Sequence, residues 1–85
     1  MANNRIGVIA IIIEDHRHSV GAVNEILSEY ADCVRARMGI PNREKDLYVI
    51  SLIVEVTTEQ LGAITGRLGN LPGVTVKSVL TNKSY

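Results

Sequence analysis

Two histidines flank an arginine in the stretch EDHRHSVG, residues 14–21, directly after a run of isoleucines. With Cys33, the chain's one cysteine, His16 and His18 are its strongest candidates for metal coordination. Their geometry depends on where a helix starts. If Asp15 caps it, the two rings leave the first turn about 200° apart and cannot share a metal. If Ser19 is the cap, Asp15–His18 is a loop, and both rings could converge with Cys33 or with a neighbouring chain. Neither arrangement supplies an evident third ligand, so a metal sensor or carrier built on His16, His18 and Cys33 is the alternative reading. The same stretch also has the makings of an anion site. A helix N-terminus offers free backbone N–H groups to carboxylate or phosphate. Arg17 would add charge there, and Gly21 would leave the backbone unshielded. A small anionic effector is therefore expected at Asp15, Arg17, Ser19 and Gly21. The plainest reading makes the whole stretch the polar entrance of a helix. Cys33 has no base beside it in sequence and is expected to be a buried, inert thiol.

Composition narrows the classes. The 85 residues, taken as one domain over 1–85, are 46% hydrophobic, yet contain no Trp or Phe and only three Tyr. The core must be Val, Ile, Leu and Ala. So short and aliphatic a chain is expected to bury part of its surface against a partner. The formal net charge is zero, without the basic face of a nucleic-acid binder or the basic amphipathic helix of a membrane-surface protein. The apolar run Ile6–Ile13 is too short to span a bilayer and lacks the flanks of a signal peptide, so a cytoplasmic protein is expected. One cysteine excludes a disulfide framework and an iron–sulfur cluster within one chain. No cofactor is expected.

The elements that must position these residues can be read from periodicity. RIGVIAIIIE is a β-branched strand. Val20, Val23, Leu27, Tyr30 and Val34 recur at helical spacing. CVRARMGI then alternates, with Val34, Ala36, Met38 and Ile40 on one side and Arg35 and Arg37 on the other. PNREKD is a polar loop, and DLYVISLIVEV is a second long strand. Thr57 and Gln60 form a capping box for a helix with an apolar stripe of Leu61, Ile64, Leu68 and Leu71. Gly69-Asn70 and Pro72-Gly73 end it, and VTVKSVL is the last strand. The order is βαββαβ.

The first and third strands are apolar on both faces, as central strands are. The second and fourth carry Arg35, Arg37, Thr75 and Lys77 at alternate positions, as edge strands do. This predicts an α+β, ferredoxin-like sandwich with an antiparallel sheet in the order 4-1-3-2 and both helices on one face. The other sheet face then needs a second subunit. A homo-oligomer is expected, at least a dimer. Gly62, Gly66 and Gly69 lie on one side of the second helix, away from its apolar stripe, and offer a second contact that would make a tetramer. Arg35 and Arg37 are candidates for pairing with carboxylates across such an interface.

Particular stretches also resemble a known family. VNEIL, RMGIP with the RE that follows it, and GRLGNLPGV are similar to the small stand-alone regulators of the iron-only hydrogenase system. The resemblance runs over nearly the whole chain, from IIIEDHRHSVGA to PGVTVKSVL. It implies an ACT-like fold, similar to the C-terminal effector domain of nickel-responsive regulators. It also implies a cytoplasmic, oligomeric, non-enzymatic protein that binds a small effector or a partner protein. The chain departs from the nickel regulators in two ways. No ribbon-helix-helix segment precedes Arg5, so direct DNA binding is not expected. Only His16, His18 and Cys33 are available as soft ligands, so nickel specificity does not carry over. An acylphosphatase of this size would need a glycine-rich, arginine-bearing cradle after the first strand. EDHRHSVG instead begins with two acids.

Overall fold

Six of the nine residues in Arg5–Ile13 are Ile or Val, whose branched Cβ fits a pleated sheet better than a helix, and the segment forms strand β1. The computed structural model describes residues 4–14 and 16–84, the side chains of His16 and Arg17 excepted. Helix α1 spans His16–Glu29, and a single 3-10 turn at Ala31–Cys33 leads into β2, Val34–Asn42. Strand β3 spans Leu47–Val56, helix α2 Thr58–Gly69 and strand β4 Val74–Leu80. The sheet runs β2-β3-β1-β4, every neighbouring pair antiparallel, which is the expected 4-1-3-2 order.

Alternation decides what each strand buries. In β1, Ile9, Ile11 and Ile13 are fully buried; in β3, Ile50, Leu52, Val54 and Val56 are. These side chains meet Val23, Ile26 and Leu27 of α1 and Ile64 and Leu68 of α2 in one core. Both helices therefore share one face of the sheet. Cys33 closes the end of that core as a buried thiol.

Helix α2 starts as its sequence dictates. The Thr57 hydroxyl accepts from the Gln60 N–H at 3.1 Å, and the Gln60 side-chain Oε1 accepts from the Thr57 N–H at 2.9 Å. Two donors that the first helical turn leaves unpaired are thereby satisfied. Beyond α2, Gly73 takes a left-handed φ of 69°, which only glycine adopts at little cost.

Three expectations need correction. Val34 belongs to β2 and not to the α1 stripe, because the turn at Ala31–Cys33 ends the helix first. The strand also absorbs Pro41 and Asn42, which pair with Tyr48 and Leu47, so the polar loop shrinks to the turn 43–46. Proline is tolerated there because β2 is an edge strand. Finally, a β-bulge between Val34 and Ala36 breaks the alternation read for this strand.

Two glycines separate tight packing from open space. A Cβ on Gly7 would collide with the Val79 carbonyl oxygen and with Leu80, whereas a Cβ on Gly21, inside α1, meets nothing within 4 Å. Gly7→Ala should destabilise the fold by about 1–3 kcal/mol. Gly21→Ala should stabilise it by about 0.5–1 kcal/mol. Urea denaturation of the two variants checks the opposite signs.

Candidate functional site

The antiparallel register arranges the face away from the helices into rows. Val8 of β1 stands between Ile53 of β3 and Val79 of β4, and Ala36 of β2 extends the row beyond Ile53. A second row runs Met38, Ser51, Ala10, Lys77, and a third Ile40, Val49, Ile12, Thr75. Ile6, opposite Glu55, begins a fourth. The outer rows carry branched side chains, whereas the middle row holds the small Ser51 and Ala10 between Met38 and Lys77. Two shallow hollows lie along this face. One lies among Ile6, Gly7, Val8, Ile53, Val79, Leu80 and Thr81; the other lies among Ala36, Arg37, Met38, Ser51 and Ile53.

The bulge at the start of β2 sets the composition of this face. Side chains on a strand alternate, and an extra residue inverts every position after it. Val34, opposite Val54, faces the helices; after the bulge, Ala36, Met38 and Ile40 stand on the open face. Met38 and Ile40 are 66% and 61% exposed there. Arg37, opposite the buried Leu52, is turned to the helix side. The reading that put Val34 with Ala36, Met38 and Ile40 is thus wrong for Val34.

Both edge arginines have partners within the chain. Arg35 donates to the Asp32 carbonyl oxygen at 2.7 Å and lies 3.6 Å from the Glu55 carboxylate. Arg37 donates to the Asn24 side-chain oxygen at 2.6 Å. Beneath Arg37, α1 and β2 leave a crevice of about 260 Å³ whose apolar walls are Leu27, Ala31, Val34 and Leu52. Farther along the same side of β2, Gly39 lies under the Tyr48 ring, which a Cβ would meet at 2.8 Å.

At the entrance of α1, the structure selects between the two helix starts. The helix begins at His16, so both histidines belong to its first turn and the loop alternative is excluded. Asp15 as cap, and the His16 and Arg17 side chains as ligands, lie outside the described residues. Ser19 is neither a cap nor available to a ligand, for it is fully buried and donates to the Pro72 carbonyl oxygen. With the Glu14 N–H to Gly73 carbonyl bond of 2.7 Å, it pins the helix entrance to the turn before β4. Gly21 lies in the second turn, where the N–H is taken up by the helix itself. Of the anion site expected at Asp15, Arg17, Ser19 and Gly21, Ser19 and Gly21 therefore offer no free donor, and Asp15 and the Arg17 side chain lie outside the described residues. His18 and Cys33 sit toward opposite ends of α1, separated by roughly 16 Å of helix. They do not converge within one chain, and the described residues hold no cluster of three or more metal-ligating side chains.

Gly62, Gly66 and Gly69 face open space, with nothing within 4 Å of a Cβ added at any of them. Beside them, Arg67 ties the helices together by a 2.7 Å ion pair with Glu29 and lies 5.8 Å from the centre of the Tyr30 ring. This clamp and the Arg37–Asn24 bond join residues 38 and 13 apart in sequence, and no local pattern announces them. The bulge had one available signal: arginines at 35 and 37 make the edge strand's phase ambiguous.

The chain matches a family model described as "iron-only hydrogenase system regulator, putative" (TM1266-like) over residues 5–78. This is a family of regulators and not of enzymes. Among solved structures, the uncharacterized protein TM1266 from Thermotoga maritima is 32% identical, with a TM-score of 0.89 over 93% of this chain and 99% of that one. The ACT domain of GTP pyrophosphokinase from Chlorobium tepidum is 23% identical, with a TM-score of 0.62 over 91% and 88%. A functionally unknown protein from Pediococcus pentosaceus is 12% identical, with a TM-score of 0.58 over 96% of each chain. These last two share the fold. No curated protein matches. Among the described residues, no helix is long and apolar enough to cross a membrane.

The interhelical clamp gives a pH-dependent expectation. The hydrogen bond from Arg67 holds the Glu29 carboxyl below the usual carboxylate range; desolvation opposes it, and the Arg67 charge adds a smaller lowering. A lowered folded-state pKa means stability that is present above the unfolded-state value and lost as pH falls through the lowered one. Glu29→Gln should therefore lower Tm slightly near neutral pH. The difference should close in acid and in high salt. Thermal melts across pH check it, and a difference independent of pH would contradict it.

Proposed function

The chain belongs to the TM1266-like family of iron-only hydrogenase system regulators, and from that premise we propose that it is a non-enzymatic regulatory module working as a homo-oligomer joined through the open face of its sheet. Its input would be a small effector or a partner protein, and the process served that of an iron-only hydrogenase system. The observation that carries the reading is the sheet face itself. Ile6, Val8, Ile12, Met38, Ile40, Val49, Ile53 and Val79 are each between 39% and 73% exposed.

Fully burying one such side chain is worth about 1.5–3 kcal/mol. The exposed fractions together amount to roughly four whole side chains, or about 6–12 kcal/mol left unrealised. That is comparable to the ~5–15 kcal/mol by which a whole domain is stable. A second copy is the occupant that fits best, because a two-fold contact buries the same residues on both chains at once. The charge pattern agrees, with Glu55 and Lys77 at the margins and none among the central Val8, Ala10, Ile12, Val49, Ser51 and Ile53. Two such faces pack about 10 Å apart with their strands roughly aligned.

Sedimentation equilibrium at low micromolar concentration should return a dimer or a higher oligomer. Val8→Glu would place a charge in the middle of the contact and should give a folded monomer with an unchanged far-ultraviolet spectrum. A wild-type chain that sediments as a monomer, with no association at higher concentration, would overturn the proposal.

A further inference from the structure

The crevice between α1 and β2 combines three features that together specify a ligand class. Its floor is apolar and largely sealed, since Leu52 and Leu27 are 1% and 5% exposed and Val34 is half-buried. Its one charged lining residue is Arg37; Ser28 is the other polar one, and no carboxylate lines it. The guanidinium is held in place, because Nη2 donates to Asn24 Oδ1 at 2.6 Å, while its remaining N–H groups have no partner among the described residues. Such a fork, fixed at one end, is preorganised for a planar anion.

We propose that this crevice binds a small aliphatic carboxylate. The carboxylate pairs with Arg37 and the branched hydrocarbon tail covers Leu27, Ala31, Val34 and Leu52. Each half of the ligand is needed. A bare anion makes only an exposed ion pair, which contributes little in water. A neutral or cationic molecule with the same tail leaves the guanidinium unanswered or repels it. The crevice exists because both helices cover the central strands, leaving the edge strand partly bare, and because the bulge turns Arg37 inward. The site lies on the helix side of the sheet, opposite the face assigned to self-association. It gives the effector input of the regulatory reading a place and a chemistry, but the two stand or fall separately.

The test is a titration of the isotope-labelled full chain with isovalerate, followed by backbone amide and methyl resonances. Isopentylamine and inorganic phosphate serve as controls. Isovalerate should give saturable shifts centred on Leu27, Ala31, Val34 and Leu52, and the controls should not. Arg37→Gln should weaken binding by roughly five-fold, Arg37→Lys by less, and Arg35→Gln not at all. Absence of saturable shifts up to tens of millimolar would overturn the proposal. So would equal binding of the amine, or isovalerate affinity that survives Arg37→Gln. The comparison of acid with amine on the wild-type chain needs no variant to fold, and a null result leaves the oligomer measured by sedimentation untouched.

Discussion

The two central strands carry branched aliphatic side chains on both faces, and two helices can cover only one. Everything else in the molecule is arranged around that imbalance. On the covered side, Ile9, Ile11, Ile13, Ile50, Leu52, Val54 and Val56 meet α1 and α2 in an aliphatic core that contains no Phe or Trp. On the other side, Ile6, Val8, Ile12, Val49 and Ile53 stand half in water. A domain of this size has too little core to treat that second face as incidental. Alternation along a strand also forbids a compromise: any shift of register that hid the outer residues would expose the inner ones.

The edge strands differ in how they treat this face. β4 sets Thr75 and Lys77 on it, which limits the apolar patch at that edge. β2 enlarges the patch, because one extra residue after Val34 turns Ala36, Met38 and Ile40 outward and Arg37 inward. The same bulge therefore completes the apolar rows and furnishes the crevice on the helix side with its cation. Tyr48 fills the space over Gly39, so the uncovered part of β2 is packed at one end and open at the other.

Much of the fold is legible in the sequence because it depends on local regularities. Isoleucine and valine runs mark the central strands, the Thr57–Gln60 pair marks a helix start, and Pro72-Gly73 marks a turn. Together these give βαββαβ and the sheet order. The site is legible only in part. That one sheet face is left apolar and open follows from counting helices against faces, and the structure bears this out. Which residues line it depends on register and on a bulge, and a bulge is a single-residue slip with no obligatory sequence mark. The stretch around His16 and His18 attracts notice by composition. Its structural role comes instead from Ser19, whose buried hydroxyl reaches a carbonyl 53 residues away. Contacts between separate elements, like Arg37 with Asn24 or Arg67 with Glu29, depend on the assembled topology and cannot be read from neighbours in the chain.

The central claim is that the open sheet face closes on a second copy of itself. The most direct measurement uses a sample mixed from two differently labelled preparations, one with isotope-labelled Ile and Val methyl groups and one without. Nuclear Overhauser contacts filtered to pass only between chains then report which methyls cross the interface. The account predicts contacts between chains for Val8, Ile12, Val49 and Ile53, and none for the core residues Ile9, Ile11 or Val54. Contacts confined to the helices, or no contacts between chains at concentrations where the protein is folded, would contradict it.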